Sequence, residues 1–159
     1  MILLTIGTQL AFDRLTIAVD ELLSAKQHDL EIVGQIGPSD YQPRSFRSER
    51  FFDPEILDSL ASSADLIISH AGMGSIITAL TKGKPIIVVP RRADLGEHRN
   101  DHQLATARKF VGHGYVRPVF DVSELPAHVA ELLQQSQAHP ISPFAPQEMT
   151  DKLRQLINR

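Results

Sequence analysis

The chain has 159 residues, 42% of them hydrophobic and 22% charged, with a formal net charge of -3 and no cysteine. That length suits one domain with one core and is too short for two full ones, and the mild acidity gives nucleic-acid binding no support. Lack of cysteine excludes disulfides and thiolate metal sites and agrees with a reducing, cytoplasmic setting, and no run approaches the ~18 consecutive apolar residues of a membrane span.

The amino-terminal MILLTIGTQ lacks a basic n-region and a small-residue cleavage site, so Ile2 to Ile6 reads as a first buried strand. FDRLTIAVDELLSA follows with apolar residues at Leu15, Val19, Leu22 and Leu23, a helical stripe. LEIVGQIG predicts a second strand. The polar, proline-containing segment from Pro38 to Glu49 reads as a loop, and RFF as a short third strand ending at Asp53 and Pro54. Asp53 would cap a helix whose first position is Pro54. DLIISH predicts the fourth strand, Ile76 to Lys82 its helix with Gly83 as the stop, and KPIIVVP the fifth strand. These two continuous apolar runs predict central strands covered on both faces.

After Pro90 the polar RRADLGEHRNDHQ passes into a helix through LATARKFV that stops near Gly112 and Gly114. YVRPVF predicts a sixth strand at an edge, because Pro118 removes a ladder donor. SELPAHVAELLQQ predicts another helix. HPISPFAP then breaks the pattern, leaving residues 140–159 as a proline-punctuated terminal segment with a helix from Gln147 to Ile157. Strand-length apolar runs alternating with helical periods are the signature of βαβ units, so the class is α/β: one domain over residues 1–159 with a mostly parallel sheet of about six strands and helices on both faces.

In such sheets ligands bind outside the carboxyl ends of the strands, where three loops fall: GTQ, HAGMGS and RRADLGEHRNDHQ. Gly72 and Gly74 would let main-chain N–H groups at a helix start approach an anion, whose charge the helix dipole favours, and Ser75 would add a bond. A phosphate or diphosphate is the natural ligand. GMGSII lacks the third glycine of the dinucleotide fingerprint and follows the fourth strand, and there is no G-x-x-x-x-G-K-[ST], which argues against a nicotinamide cofactor and against P-loop chemistry. Alone, GMG is explained equally well by tight helix-on-sheet packing.

The ordered set SHAGMGS, KGKPIIVVP and GEHRNDHQLATA resembles the donor-nucleotide half of family 28 glycosyltransferases. It is most similar to the small split type, like the catalytic subunit of the UDP-N-acetylglucosamine transferase in lipid-linked oligosaccharide synthesis and its bacterial exopolysaccharide counterparts. The similarity runs from TIGTQLAFDRL through GHGY and is strongest from Ser69 to Gln103. The resemblance implies a Rossmann-like sheet forming one half of a GT-B fold. It implies that the main chain at Gly72, Met73, Gly74 and Ser75 holds a UDP diphosphate, with His70 beside it and Gly7 and Thr8 facing it. Uracil would be read by main-chain groups of FFDP, at Phe52, and the donor sugar's hydroxyls by His102 and Gln103. Family members commonly carry a ribose-binding carboxylate five residues before the helix-ending glycine, where this chain has Thr78.

One GT-B half is incomplete, so the resemblance implies a membrane-anchored companion subunit carrying the acceptor site and the general base. Transfer would be inverting, with UDP-sugar as donor substrate, no cofactor and no metal, and the chain cytoplasmic or held peripherally at the inner membrane face by its partner. Phe144 and Met149 in the terminal segment would supply the docking face, which in an isolated copy could pair into a homodimer; packing of that segment across its own sheet is the equal alternative. A nucleotide- or phosphate-sensing module without transferase activity is the rival function, and a UDP-sugar epimerase would need both halves in one chain.

Several residues keep two readings. His70 at a strand end is commonly a local hydrogen-bonding group. His98 and His102, four apart beside Glu97 and Asp101, could share a helix face and bind a metal, but EHRNDH also reads as a solvated helix start capped by Asn100 or Asp101. Arg91 and Arg92 read as surface charge or as an attraction for the nucleotide, and Thr8 and Ser75 as capping groups.

Overall fold

The computed structural model describes residues 1–24, 30–112 and 116–134. Six parallel strands, β1 (Ile2–Thr5), β2 (Ile32–Gln35), β3 (Arg47–Glu49), β4 (Leu66–His70), β5 (Ile86–Val89) and β6 (Val116–Pro118), form one sheet in the order β3-β2-β1-β4-β5-β6. Five helices connect or follow them: α1 (Asp13–Ser24), α2 (Pro54–Ser63), α3 (Met73–Thr81), α4 (His102–Lys109) and α5 (Leu125–Leu133). This is the Rossmann-like α/β architecture expected from the pattern. The sequence order reverses between β1 and β4, and the crevice there is where open α/β sheets bind ligands.

Alternation along the strands sorts the core into two layers. Ile2, Leu4 and Ile6 join Leu66, Ile68, Ile87 and Val89 under α1 and α5, where Leu15, Val19 and Leu22 form the predicted stripe. Each such side chain contributes about 1.5–3 kcal/mol on burial. Leu3, Ile67, Ile86 and Val88 point the other way, against Ala61, Ile76, Ala79 and Ala107 of α2, α3 and α4. Alanines on that side bring the helix backbones close to the sheet.

Two boundaries differ from the sequence reading. The third strand is Arg47–Glu49, inside the segment read as loop, with Arg47 paired to Val33; RFF follows it. An edge strand pairs on one side only, and this one exposes Arg47 and Glu49, so no apolar run marks it. Helix α3 begins at Met73, three residues before Ile76. Pro54 opens α2 as expected, although Asp53 caps it without a side-chain hydrogen bond. Gly83, at φ 64°, ends α3 in the left-handed region. The sixth strand lies at the edge, with Pro118 in it. Gly114 and the terminal segment with Phe144 and Met149 lie outside the described residues.

Candidate functional site

At the carboxyl ends of the strands, over the β1/β4 crevice, is a cavity of about 630 Å³. Its walls are the loop after β1, the start of α3, one face of α2 and the region around α4's first turn.

The start of α3 supplies unpaired donors. Gly72 N–H donates to His70 O at 2.8 Å, and Ile76 N–H to Gly72 O at 3.2 Å. Between them, the N–H groups of Met73, Gly74 and Ser75 have no acceptor among the described residues. These are the orphan donors of a helix N-terminus, and the helix dipole adds partial positive charge. Of the four amides expected to grip a diphosphate, therefore, three are open and that of Gly72 is used inside the turn. Gly72, Gly74 and Ser75 line the cavity, and Met73 lies exposed outside its wall.

His70 sits beneath this turn. Ser69 Oγ donates to Thr5 O at 2.8 Å, so its remaining lone pairs face His70 Nδ1, 3.3 Å away. Burial, reinforced by the Arg91 charge, lowers the His70 pKa to about 4, and the imidazole is neutral at pH 7. Its Nε2 edge occupies the space between two glycines. A Cβ on Gly72 would collide with Nε2, and one on Gly7 would come to 3.0 Å from Cε1. Gly7 also has φ 83°, which L side chains rarely adopt. Gly74 differs: a Cβ there would have nothing within 4 Å.

The loop after β1, with Gly7 and Thr8 on the cavity, is held by Arg91. This arginine follows β5 and is buried. Its guanidinium donates to Ile6 O and Leu10 O, each at 2.7 Å, and to Ala11 O, and lies 4.6 Å from the centroid of the Phe12 ring. Burial pulls its pKa down to about 10, so it stays charged at pH 7. The reading of Arg91 as surface charge is corrected: it is an internal brace. Arg92 does lie at the surface, paired with Asp94. Nearby, Arg14 forks onto Glu97 at 2.7 and 2.9 Å and reaches Pro90 O, tying α1 to the segment after β5.

His102 and Gln103, the expected sugar-binding pair, both line the cavity from the first turn of α4. Gln103 is buried and its Oε1 accepts the Arg91 N–H at 3.1 Å, so its amide nitrogen is the end left for a ligand. His102 is exposed, with Nδ1 2.5 Å from Asn100 Oδ1, and that oxygen also accepts the His102 main-chain N–H at 3.2 Å. Asn100 thus caps this turn, while Asp101 Oδ1 accepts from Ala93 N. His98 and His102 meet edge to face at 4.4 Å, and among the described residues no three His, Asp or Glu side chains are placed to share a metal.

Thr78 lines the cavity one turn along α3. Phe52 does not reach the wall: its N–H donates to the Gln35 side chain at 2.9 Å, and Gln35 lines the cavity instead. Asp58 of α2 was not singled out in the sequence, since one acid on a polar helix face looks like solvated surface.

Comparison with known proteins agrees with the motifs. The description "Glycosyltransferase family 28 C-terminal domain" matches residues 1–158. The "UDP-N-acetylglucosamine transferase subunit ALG13" of Eremothecium gossypii is 33% identical over 109 residues, 68% of this chain and 51% of that protein. Among solved structures, the glycosyltransferase of kitacinnamycin superposes with TM-score 0.65 and 27% identity, over 84% of this chain and 35% of that one. The solution structure of ALG13 does so with TM-score 0.62 and 21% identity over 96% and 93%. The chain spans about half or less of the length of the curated relatives that head the comparison. On these matches the chain belongs to the glycosyltransferase family 28 C-terminal domain family, and its sheet is one half of a GT-B fold.

Proposed function

We propose that the chain is the UDP-sugar-binding catalytic subunit of a two-subunit, inverting glycosyltransferase that acts on a lipid-linked or polysaccharide acceptor. One observation carries the reading: the three unpaired amides of Met73, Gly74 and Ser75 at a helix N-terminus over the switch-point cavity. Such donors stabilise a diphosphate as charge builds on it during departure, and they are fixed before the reaction starts. Gln103 and His102 would orient the sugar from the first turn of α4, and the relative named as a UDP-N-acetylglucosamine transferase subunit supports N-acetylglucosamine as that sugar.

The described carboxylates offer no ready base for an acceptor hydroxyl: Asp58, the one carboxylate among the described lining residues, is paired with Lys82. Of the histidines in the lining, His70 lies in the wall, and His98 and His102 meet edge to face where the donor sugar would sit. A membrane-anchored companion would bring the base and the acceptor site, leaving this chain inactive alone and peripheral at the membrane; no described helix is long and apolar enough to cross one. The same lack of a base favours, as second reading, a nucleotide- or phosphate-sensing module.

Calorimetric titration with UDP, UDP-sugars, ADP and NAD tests the first reading, repeated on Gly74→Val. The open space at Gly74 accepts the new side chain, which then occupies the anion's place, so UDP affinity falls at least about tenfold with folding kept. Preference for ADP, or indifference to the substitution, defeats it. Transfer assays on the chain co-purified with its companion separate enzyme from sensor.

A further inference from the structure

Asn100, two residues before α4, presents one side-chain atom to two groups of His102: the main-chain N–H at 3.2 Å and ring Nδ1 at 2.5 Å. A main-chain N–H only donates, so that atom is the carboxamide oxygen, Oδ1, which only accepts. Nδ1 must therefore carry the proton of the neutral ring, and the lone pair falls on Nε2. Nε2 has no hydrogen-bond partner among the described residues. The His98 ring meets the same imidazole edge to face at 4.4 Å and restricts its rotation.

Gln103, the next residue, has the opposite polarity. Its Oε1 accepts the Arg91 main-chain N–H, which leaves the amide nitrogen, a donor, for the cavity that both residues line. Adjacent positions thus offer an acceptor and a donor, each oriented by a group of the chain itself. Neighbouring sugar hydroxyls match this set, one donating to His102 Nε2 and the other accepting from Gln103 Nε2. A phosphate oxygen, which only accepts, would meet a lone pair at His102 and finds its donors at Met73, Gly74 and Ser75.

We propose that Asn100 is a positioning residue that holds His102 in the Nδ1–H tautomer, so that Nε2 accepts from a donor-sugar hydroxyl and turns phosphate away. The assignment rests on the UDP-sugar reading above and adds to it the polarity of one contact and the residue that sets it. A residue that merely capped α4 would hold the main-chain N–H and leave the ring tautomer free.

NMR of the ring nitrogens at pH 8, with the His102 signals assigned by their loss in His102→Gln, reads the tautomer in the full chain. Calorimetric titration with UDP, UDP-N-acetylglucosamine and UDP-glucose reads its consequence. Wild type should show Nδ1 protonated and Nε2 bare, and Asn100→Asp, which keeps an accepting oxygen at the same reach, should keep that state. Asn100→Ser retains a hydroxyl for the N–H two residues on, one atom too short for the ring, and should populate both tautomers. Its affinity for the tighter UDP-sugar should fall about fivefold, with UDP binding unchanged to within about twofold. A protonated Nε2 in wild type, an unchanged tautomer in Asn100→Ser, or an unchanged ratio of UDP-sugar to UDP affinity overturns the assignment and leaves the diphosphate site standing. Failure of wild type to bind any of the three ligands overturns the UDP-sugar reading and the sugar contact with it, while the spectra still decide the tautomer.

Discussion

The two loops that meet at the switch point are held by different means. At the β4–α3 junction the main chain does the shaping: Gly72 N–H folds back onto His70 O, and the next three amides stay open. Across the crevice, the loop after β1 takes its form from a side chain 80 positions away, as the Arg91 guanidinium gathers the carbonyls of Ile6, Leu10 and Ala11. One wall is local in sequence and built from donors; the other is non-local and built from acceptors that a buried cation satisfies. A cavity can present donors to an anion only if its own carbonyls are turned elsewhere, and Arg91 is what turns them.

Removing Arg91 breaks the comparison most severely. Arg91→Met leaves three carbonyls without their donor, that of Ile6 in a buried bond and those of Leu10 and Ala11 in part-buried ones, and each group left unsatisfied in the interior costs about 1–3 kcal/mol. Urea unfolding should show a loss of about 3 kcal/mol or more, with Arg91→Lys recovering part of it because an ammonium reaches fewer of the carbonyls. A shift below about 1 kcal/mol would mean that the loop holds itself.

On the other wall His70 gives a pH signature. Its folded pKa of about 4 lies below the ordinary 6.5, so as pH falls the unfolded chain takes up a proton that the folded one refuses. The stability it contributes is complete above pH 6.5 and is lost as pH falls toward 4, by up to about 3 kcal/mol. His98 is lowered as well, by burial first and then by His102, and acts in the same direction. The difference between wild type and His70→Asn isolates the first group. Urea midpoints at pH 7 and pH 4.5 should lie closer together in the variant than in wild type, and equal separations would place the effect elsewhere.

Sequence showed the local wall and hid the other for the same reason. DLIISH and KPIIVVP are apolar enough to mark internal strands, and two glycines beside them mark a close approach of main chain. Arg91 carries no such mark, because an arginine's burial depends on carbonyls that only the folded sheet brings near. Arg47–Glu49 forms a strand through its neighbour's hydrogen bonds and without apolar residues of its own. Family resemblance puts main-chain groups of Phe52 beside a uracil, and in the structure the Phe52 N–H donates to Gln35, which lines the cavity.

The smallest effects divide the local wall within itself. Gly72→Ala drives a Cβ into the His70 ring, which Ser69 holds from the other side, and overpacking of this kind costs about 1–3 kcal/mol. Gly74→Ala, two residues on, meets open space in the first turn of α3, where replacing glycine gains up to about 1 kcal/mol of helix propensity. Thermal melts should therefore move in opposite directions for two substitutions of the same kind, while UDP binding weakens in both. If both variants were destabilised alike, the two glycines would share a packing role. A stable Gly74→Ala with impaired binding instead means that the space above its Cα is kept for a ligand.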